Sequence, residues 1–271
     1  MRIDFHLHTN RSDGVLAPRE LLAAVRHEQL AAWAVTDHDS VAAWRELQHE
    51  PGLVAGIEIT SGVEGREVHV VGLGIDADSV ALNELLTGIR VLRRERIGVV
   101  ISRLPTQVSR GVTVADLDDG RAESLGRNHL ARAMLKRGGV ASMHEAFTLH
   151  LGDEHIRDTG LPQFPPLRQC CEAIRAAGGV AILAHPGVYR SALVIAGLLD
   201  LGCDGLEVAH PNLDPLLADQ LLELARSRKL LMSAGSDLHV LGARRPGIFG
   251  LTAQQLEPLA SRLGLGTSTR N

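Results

Sequence analysis

Short apolar runs and amphipathic stretches take turns along this chain. "RIDFHLH" reads as a strand, and "APRELLAAVRHEQ" after it as a helix that Pro18 starts and whose Leu21, Leu22 and Val25 share one face. "AAWAVTDHD" predicts a second strand, "SVAAWRELQ" a helix and "GLVAGIEITS" a third strand, with "REVHVVGLG" pairing back through the turn "VEGR". Residues 83–103 carry a helical period, and Arg90, Arg93, Arg94 and Arg96 along them read as a solvated face. From 104 to 165 the strand signal disappears. "RNHLARAMLKRGG" ends in a Gly-Gly stop, so this stretch reads as a helical lobe inserted between two barrel segments, 1–103 and 166–271. The alternation then resumes: a helix over 166–177, the strand "GGVAILAHP", a helix, the strand "CDGLEVAHP", a helix over 214–228 and the strand "LLMSAGSDLH". Seven or so strand signals with helices between them predict an α/β fold, a closed or nearly closed parallel barrel.

Composition narrows the function classes. With 271 residues, 45% of them hydrophobic, the chain has enough apolar side chains for a sizeable core. A net charge of −4 speaks against a broad basic surface, and 3% aromatic residues leave few platforms for stacking a long nucleic acid. Small anionic substrates remain open, provided positive charge is local. Cys170, Cys171 and Cys203 make neither an even disulfide set nor a CxxC pair. The charged start Met1-Arg2-Ile3-Asp4 and the lack of a span-length apolar run predict a cytoplasmic protein with no membrane partner.

Thirteen histidines are the excess that matters. His6 and His8, two apart on a strand, leave the same face and can converge on one ion. Asp13 lies in the loop that follows, His38 ends the second strand, Glu58 is near the end of the third and His69 is on its partner. His185 ends "AILAHP", and Asp237 and His239 end "SAGSDLH". A lone strand-end histidine is usually a satisfied loop or core residue; nine such groups at one barrel mouth point to a metal centre. Imidazole and carboxylate without thiolate suit Zn²⁺, Mn²⁺ or Fe²⁺, in two or three sites per chain. Three divalent ions against Asp13, Glu58 and Asp237 leave a positive surplus that phosphate would cancel, which favours phosphate esters over neutral substrates.

The segments "FHLHTNRSDG", "VTDHD", "GIEIT", "VHVVGLG", "ILAHP" and "GSDLH" resemble, in order, the signature stretches of the PHP (polymerase and histidinol phosphatase) metal-dependent phosphoesterases. The resemblance implies a distorted (β/α)7 TIM-like barrel with a trinuclear centre. His6, His8, Glu58 and Asp237 would hold one ion, Asp13, His38 and His239 a second, and the bridging Glu58 with His69 and His185 a third. Length, insertion and "RNHLARAMLKRGGVASMHEAF" are most similar to the branch of 3′,5′-nucleoside bisphosphate phosphatases and 5′-3′ exoribonucleases. That similarity implies phosphate contacts from Arg127, His129 and Arg132, and attack on phosphorus by a metal-bridging hydroxide. His210 and Asp13 are the further catalytic candidates, His210 as a proton donor to the leaving group. Asp4, Asp37 and Asp39 are placed to orient imidazoles.

Three rivals remain. Dinuclear amidohydrolases also begin with His-x-His but commonly bridge their metals with a carboxylated lysine, and neither Lys136 nor Lys229 ends a predicted strand. A histidinol-phosphate-type phosphatase would use the same chemistry, and a non-catalytic PHP metal-binding module would need no chemistry at all.

Overall fold

The computed structural model describes residues 2–156, 160–242 and 244–265. Seven strands follow one another in sheet order: β1 (Ile3–Asp4), β2 (Ala32–Val35), β3 (Leu53–Val63), β4 (Arg66–Leu73), β5 (Val180–Leu183), β6 (Gly205–Ala209) and β7 (Leu231–Ala234). Beyond its short regular part the first strand continues as extended chain. Phe5 N–H donates to Ala234 O and His8 N–H to Leu238 O, both at 3.0 Å, and Leu7 pairs with Leu238, so the sheet closes into a barrel.

The pairing is parallel everywhere except around β4, which runs antiparallel to both β3 and β5. A wholly parallel barrel is therefore not what forms. The reason lies between Val63 and Arg66: Glu64 (φ 50°) and Gly65 (φ 76°) make a two-residue turn with both residues left-handed, and a connection that short can only reverse the chain.

Helices α1 (Pro18–His27) and α2 (Ala42–Leu47) cover β1 and β2, with Leu21, Leu22, Val25 and Leu47 packed on Leu7, Trp33 and Val35. The long α3 (Val80–Arg103) follows β4. Between α3 and α8 (Leu167–Ala176) come α4 (Thr106–Ser109), a 3-10 turn (Val114–Leu117), α5 (Arg127–Lys136), α6 (Met143–Ala146) running into a π turn (Phe147–Leu151), and α7 (Asp153–Ile156). These pieces build a separate apolar cluster from Leu117, Leu125, Leu130, Met134 and Leu151, to which α3 lends Ile97 and Val100. Helices α8, α9 (Ala192–Leu199) and α10 (Pro215–Arg228) return to the barrel wall, while α11 (Ala253–Arg262) sets Leu256, Leu259 and Ala260 against Ile3, Ala34, Leu73, Ile182 and Ala234. Among the described residues no helix is long and apolar enough to cross a membrane.

Candidate metal centre

The predicted ligands gather at the ends of the strands. His6 and His8 sit on the extension of β1, His38 follows β2 and pairs with Glu58 on β3, and Thr60 opposite His69 registers β4. His185 follows β5, and Asp237 and His239 follow β7. Close approach is built into the backbone: a Cβ at Gly235 would lie 2.2 Å from His6 Cβ, so no larger residue leaves His6 where it is. His185 (φ 32°) and Asp237 (φ 50°) are left-handed, a conformation that costs non-glycine residues roughly 1–3 kcal/mol and persists where the surroundings hold it.

Glu58 is the hub. Its Oε2 lies 3.2 Å from His6 Nε2, 3.2 Å from His8 Nε2 and 3.1 Å from His38 Nδ1. Its Oε1 lies 3.0 Å from both His69 Nδ1 and His185 Nε2, so five imidazoles share one carboxylate. Asp237 Oδ1 is 3.4 Å from His8 Nε2 and 3.7 Å from His6 Nε2, closing a four-residue nest. Asp13 Oδ1 is 3.1 Å from His239 Nε2, with His8 and His38 each 3.8 Å from this carboxylate.

Electrostatics match this geometry. Burial works to raise the three carboxyls, but the imidazoles win: His239 and His38 at Asp13, His38 and His6 at Glu58, and His239 and His8 at Asp237 hold all three well below the usual range. Burial likewise opposes charge on the imidazoles. At His8 it is outweighed by Asp237 and Glu58, which carry the pKa up to about 10, and at His69 by Glu58 and Glu67, which carry it up to about 9. His38 goes the other way, held low by burial with help from Arg93 and His8.

Several donor atoms are buried with no hydrogen-bond partner: His6 Nε2, both ring nitrogens of His8, His38 Nδ1, His185 Nδ1, Asp13 Oδ1 and Glu58 Oε2. Orphaned lone pairs in such number are costly unless cations take them, and an all-nitrogen-and-oxygen donor set is the kind that divalent first-row ions accept. Among the described residues four groupings have ligand atoms within 4.8 Å of one another: His6, His8 and Glu58; His8, Asp13, His38 and His239; His38, Glu58 and His69; and His6, Glu207 and His210. The residues fit a multinuclear centre.

No protein-family model matches the chain. Individual relatives do. It is 32% identical over 250 residues to the 5′-3′ exoribonuclease Rnm of Salmonella typhimurium, covering 87% of this chain and 84% of that protein. It is 33% identical over 264 residues to the 3′,5′-nucleoside bisphosphate phosphatase of Chromobacterium violaceum, covering 89% and 88%. A Bifidobacterium adolescentis crystal structure described as a metal-dependent phosphoesterase superposes with a TM-score of 0.82 at 27% identity, covering 96% of each chain. The chain belongs to the PHP-like metal-dependent phosphoesterases.

As a phosphoesterase the protein has groups around the ligands that the sequence reading missed. Glu207, fully buried on β6, accepts from His6 Nδ1 at 2.8 Å and also from the backbone N–H of the left-handed His185. It fixes one imidazole's tautomer and another's backbone. Glu67 accepts from His69 Nε2 at 2.8 Å and lies 3.8 and 3.9 Å from Arg96 and Arg127. An acid inside the apolar run "GLEVA" was the available signal for Glu207; Glu67, alternating with His69 in a polar hairpin, gave none.

Asp4, Asp37 and Asp39 do not orient imidazoles. Asp4 accepts from the backbone N–H groups of His6, Ser236 and Gly247; Asp37 from Thr9 and Ser12; Asp39 from Thr60 and Arg93. Backbone and side-chain donors of the tight mouth loops need acceptors, and packing brings these acids to them from other parts of the chain. Nor is the arginine stripe of α3 a solvated face throughout: Arg94 is exposed, but Arg93 is 6% exposed and ion-paired to Asp39 at 2.6 Å, and Arg96 stacks over Phe164.

His210 is fully buried in its side chain, its Nδ1 accepting from Asn212 N–H and its Nε2 3.8 Å from both Glu207 and Asp237. Among the described residues His210 Nε2 has no hydrogen-bond partner. Arg127 faces the mouth, tied to Asp153 at 2.6 Å and Leu151 O at 3.2 Å. Asn128, also unforeseen, donates to Asp13 Oδ2 at 2.7 Å. His129 and Arg132 turn away: His129 Nδ1 accepts from Gly126 N–H at the start of α5, and Arg132 donates to the backbone carbonyl of Asp13.

Proposed function

We propose that this phosphoesterase hydrolyses nucleoside 3′,5′-bisphosphates and short 5′-phosphorylated oligoribonucleotides. The observation that supports it is a cavity of about 370 Å³ beside the candidate ligands His69 and His185, lined by Arg66, Arg96 and Arg127 with Glu67 and Asp153 and by Ile156, Val188 and Tyr189. Arginines suit phosphate oxygens, and the aromatic and aliphatic wall suits a nucleoside. The relatives named above act on substrates of this kind.

His6, His8, Glu58 and Asp237 would hold one cation, Asp13, His38 and His239 a second, and Glu58 with His69 and His185 a third. Bound Mn²⁺, Fe²⁺ or Zn²⁺ would supply a low-pKa water and offset charge on the phosphoryl oxygens. The rest is the chain's own work. Glu207 holds His6 and Glu67 holds His69 in their ligating tautomers, while Asn128 and Arg132 fix the carboxylate and backbone of Asp13. Arg127 receives the phosphate that is not being cleaved, kept in place by Asp153 so that little side-chain order is lost on binding. The buried Arg93 adds a positive wall to the mouth.

The test is a side-by-side assay of Mn²⁺-loaded protein on adenosine 3′,5′-bisphosphate, a 5′-phosphorylated trinucleotide and histidinol phosphate. Phosphate or nucleotide release from the first two is the expected result. Turnover of histidinol phosphate alone would overturn the reading, and no turnover with any metal would return the chain to a binding module.

A further inference from the structure

A second concavity, about 550 Å³, lies on the opposite flank of α5 from the mouth. One wall is the loop 10–15, contributing Asn10, Ser12, Gly14 and Val15; the other is α5, whose His129, Arg132, Ala133 and Lys136 recur at helical spacing on one face. The cations here differ in how they are neutralised. Arg137 has Asp116 at 2.8 Å and Arg121 has Asp119 at 3.8 Å. Arg132 spends its hydrogen bond on a neutral carbonyl, and among the described residues Lys136 makes no ion pair. Two uncompensated positive charges thus stand one turn apart in a protein of net charge −4.

The concavity is wired to the metal centre by position. The loop that forms its wall carries Asp13, whose carboxylate meets His239 on the mouth side, and α5 sends Arg127 to the mouth and Arg132 with Lys136 to the far side. We propose that this cavity receives the part of an oligoribonucleotide that trails the phosphate held at the metals, with Lys136 and Arg132 facing its backbone phosphates. The proposal rests on the nucleotide reading of the mouth and extends it: a bisphosphate ends at the mouth, whereas a strand continues past Asp13. The lining has no Phe, Tyr or Trp and only the His129 ring, so the contact tracks backbone more than it stacks bases. Val15, Leu117, Ala122 and Ala133 supply a small apolar floor for ribose.

The experiment compares kcat/KM on a 5′-phosphorylated tetraribonucleotide and on adenosine 3′,5′-bisphosphate, from low to moderate KCl, for the wild type, Lys136→Ala and Lys136→Glu. The tetranucleotide should show the steeper salt dependence, and losing one phosphate contact should remove about 0.7 from its logarithmic slope. Lys136→Glu should lower the tetranucleotide-to-bisphosphate ratio roughly tenfold, with Lys136→Ala between. An unchanged ratio and slope in both variants would overturn the proposal, as would a wild type that cleaves the bisphosphate but not the tetranucleotide. Failure to cleave either would instead bring down the reading of the mouth.

Discussion

Glu58 and its five imidazoles show how a single carboxylate organises the mouth, and the groups behind them decide whether it binds metal. Glu207 touches no substrate, yet it holds His6 Nδ1 and the His185 backbone. Glu207→Gln should keep the fold and lower metal affinity about 10–100-fold, measured as metal content after dialysis and as the metal concentration giving half-maximal activity. Unaltered retention would show that His6 needs no such partner. Protonation gives a second prediction. Without metal, His8 and His69 titrate near 10 and 9 against an ordinary 6.5, because nearby carboxylates outweigh burial. Both rings therefore carry protons at pH 8 that a cation must displace. Against burial, Glu207 and Glu58 also raise His6 well above its ordinary value, so loading should release about two or more protons per chain there, and apparent affinity should rise as pH climbs toward 9. Indicator dye in weak buffer measures this; the absence of proton release would contradict ligation by these rings. Spacing made the candidate ligands legible, since side chains two apart on a strand leave the same face. Glu67 was illegible because its pairing with His69 demands knowing which way an acid points, and Glu207, though marked as an acid in an apolar run, has its partners on other parts of the chain.

Helix α3 carries the lesson at the next scale. Its arginines look solvated by period alone, but residues between Val108 and Leu151 pack on one side of the helix and the barrel on another, so Arg93 is enclosed with Asp39. Its guanidinium also reaches Thr60 and the Leu125 carbonyl, joining three parts of the chain. Arg93→Met leaves Asp39 buried without its countercharge and should cost about 3–5 kcal/mol in urea unfolding, with Asp39→Asn in the same chain recovering part of it. A loss under 1 kcal/mol would mean that water or another donor satisfies Asp39. The β3–β4 hairpin is the converse case, where local chemistry suffices. Glu64-Gly65 dictates reversal, and with it the one antiparallel strand that brings His69 to face Glu58.

The molecule as a whole is tied together at the mouth. Ligands arrive from the extension of β1, from β3 and β4, and from the turns after β2, β5 and β7, so cations there clamp segments at both ends of the chain. Chelation should therefore lower the melting temperature as well as activity. At a free metal concentration a thousandfold above Kd, one site alone stabilises by about 4 kcal/mol. A thermal shift series over manganese, zinc and iron(II), with and without chelator, reads this out. Identical melting with and without metal would argue that these side chains hold none.

Hydrophobic period and turn residues, which act over a few neighbours, were enough to place the strands and the helices. They also brought imidazoles and acids to one end of the strands. What local pattern could not decide was which flank of a helix is enclosed, which acid faces a ring and which faces an amide, and where the far side of α5 opens. Those outcomes depend on packing between segments far apart in the chain, 201 residues for His6 and Glu207 and 243 for Asp4 and Gly247, and distance in space is not written in distance along the chain.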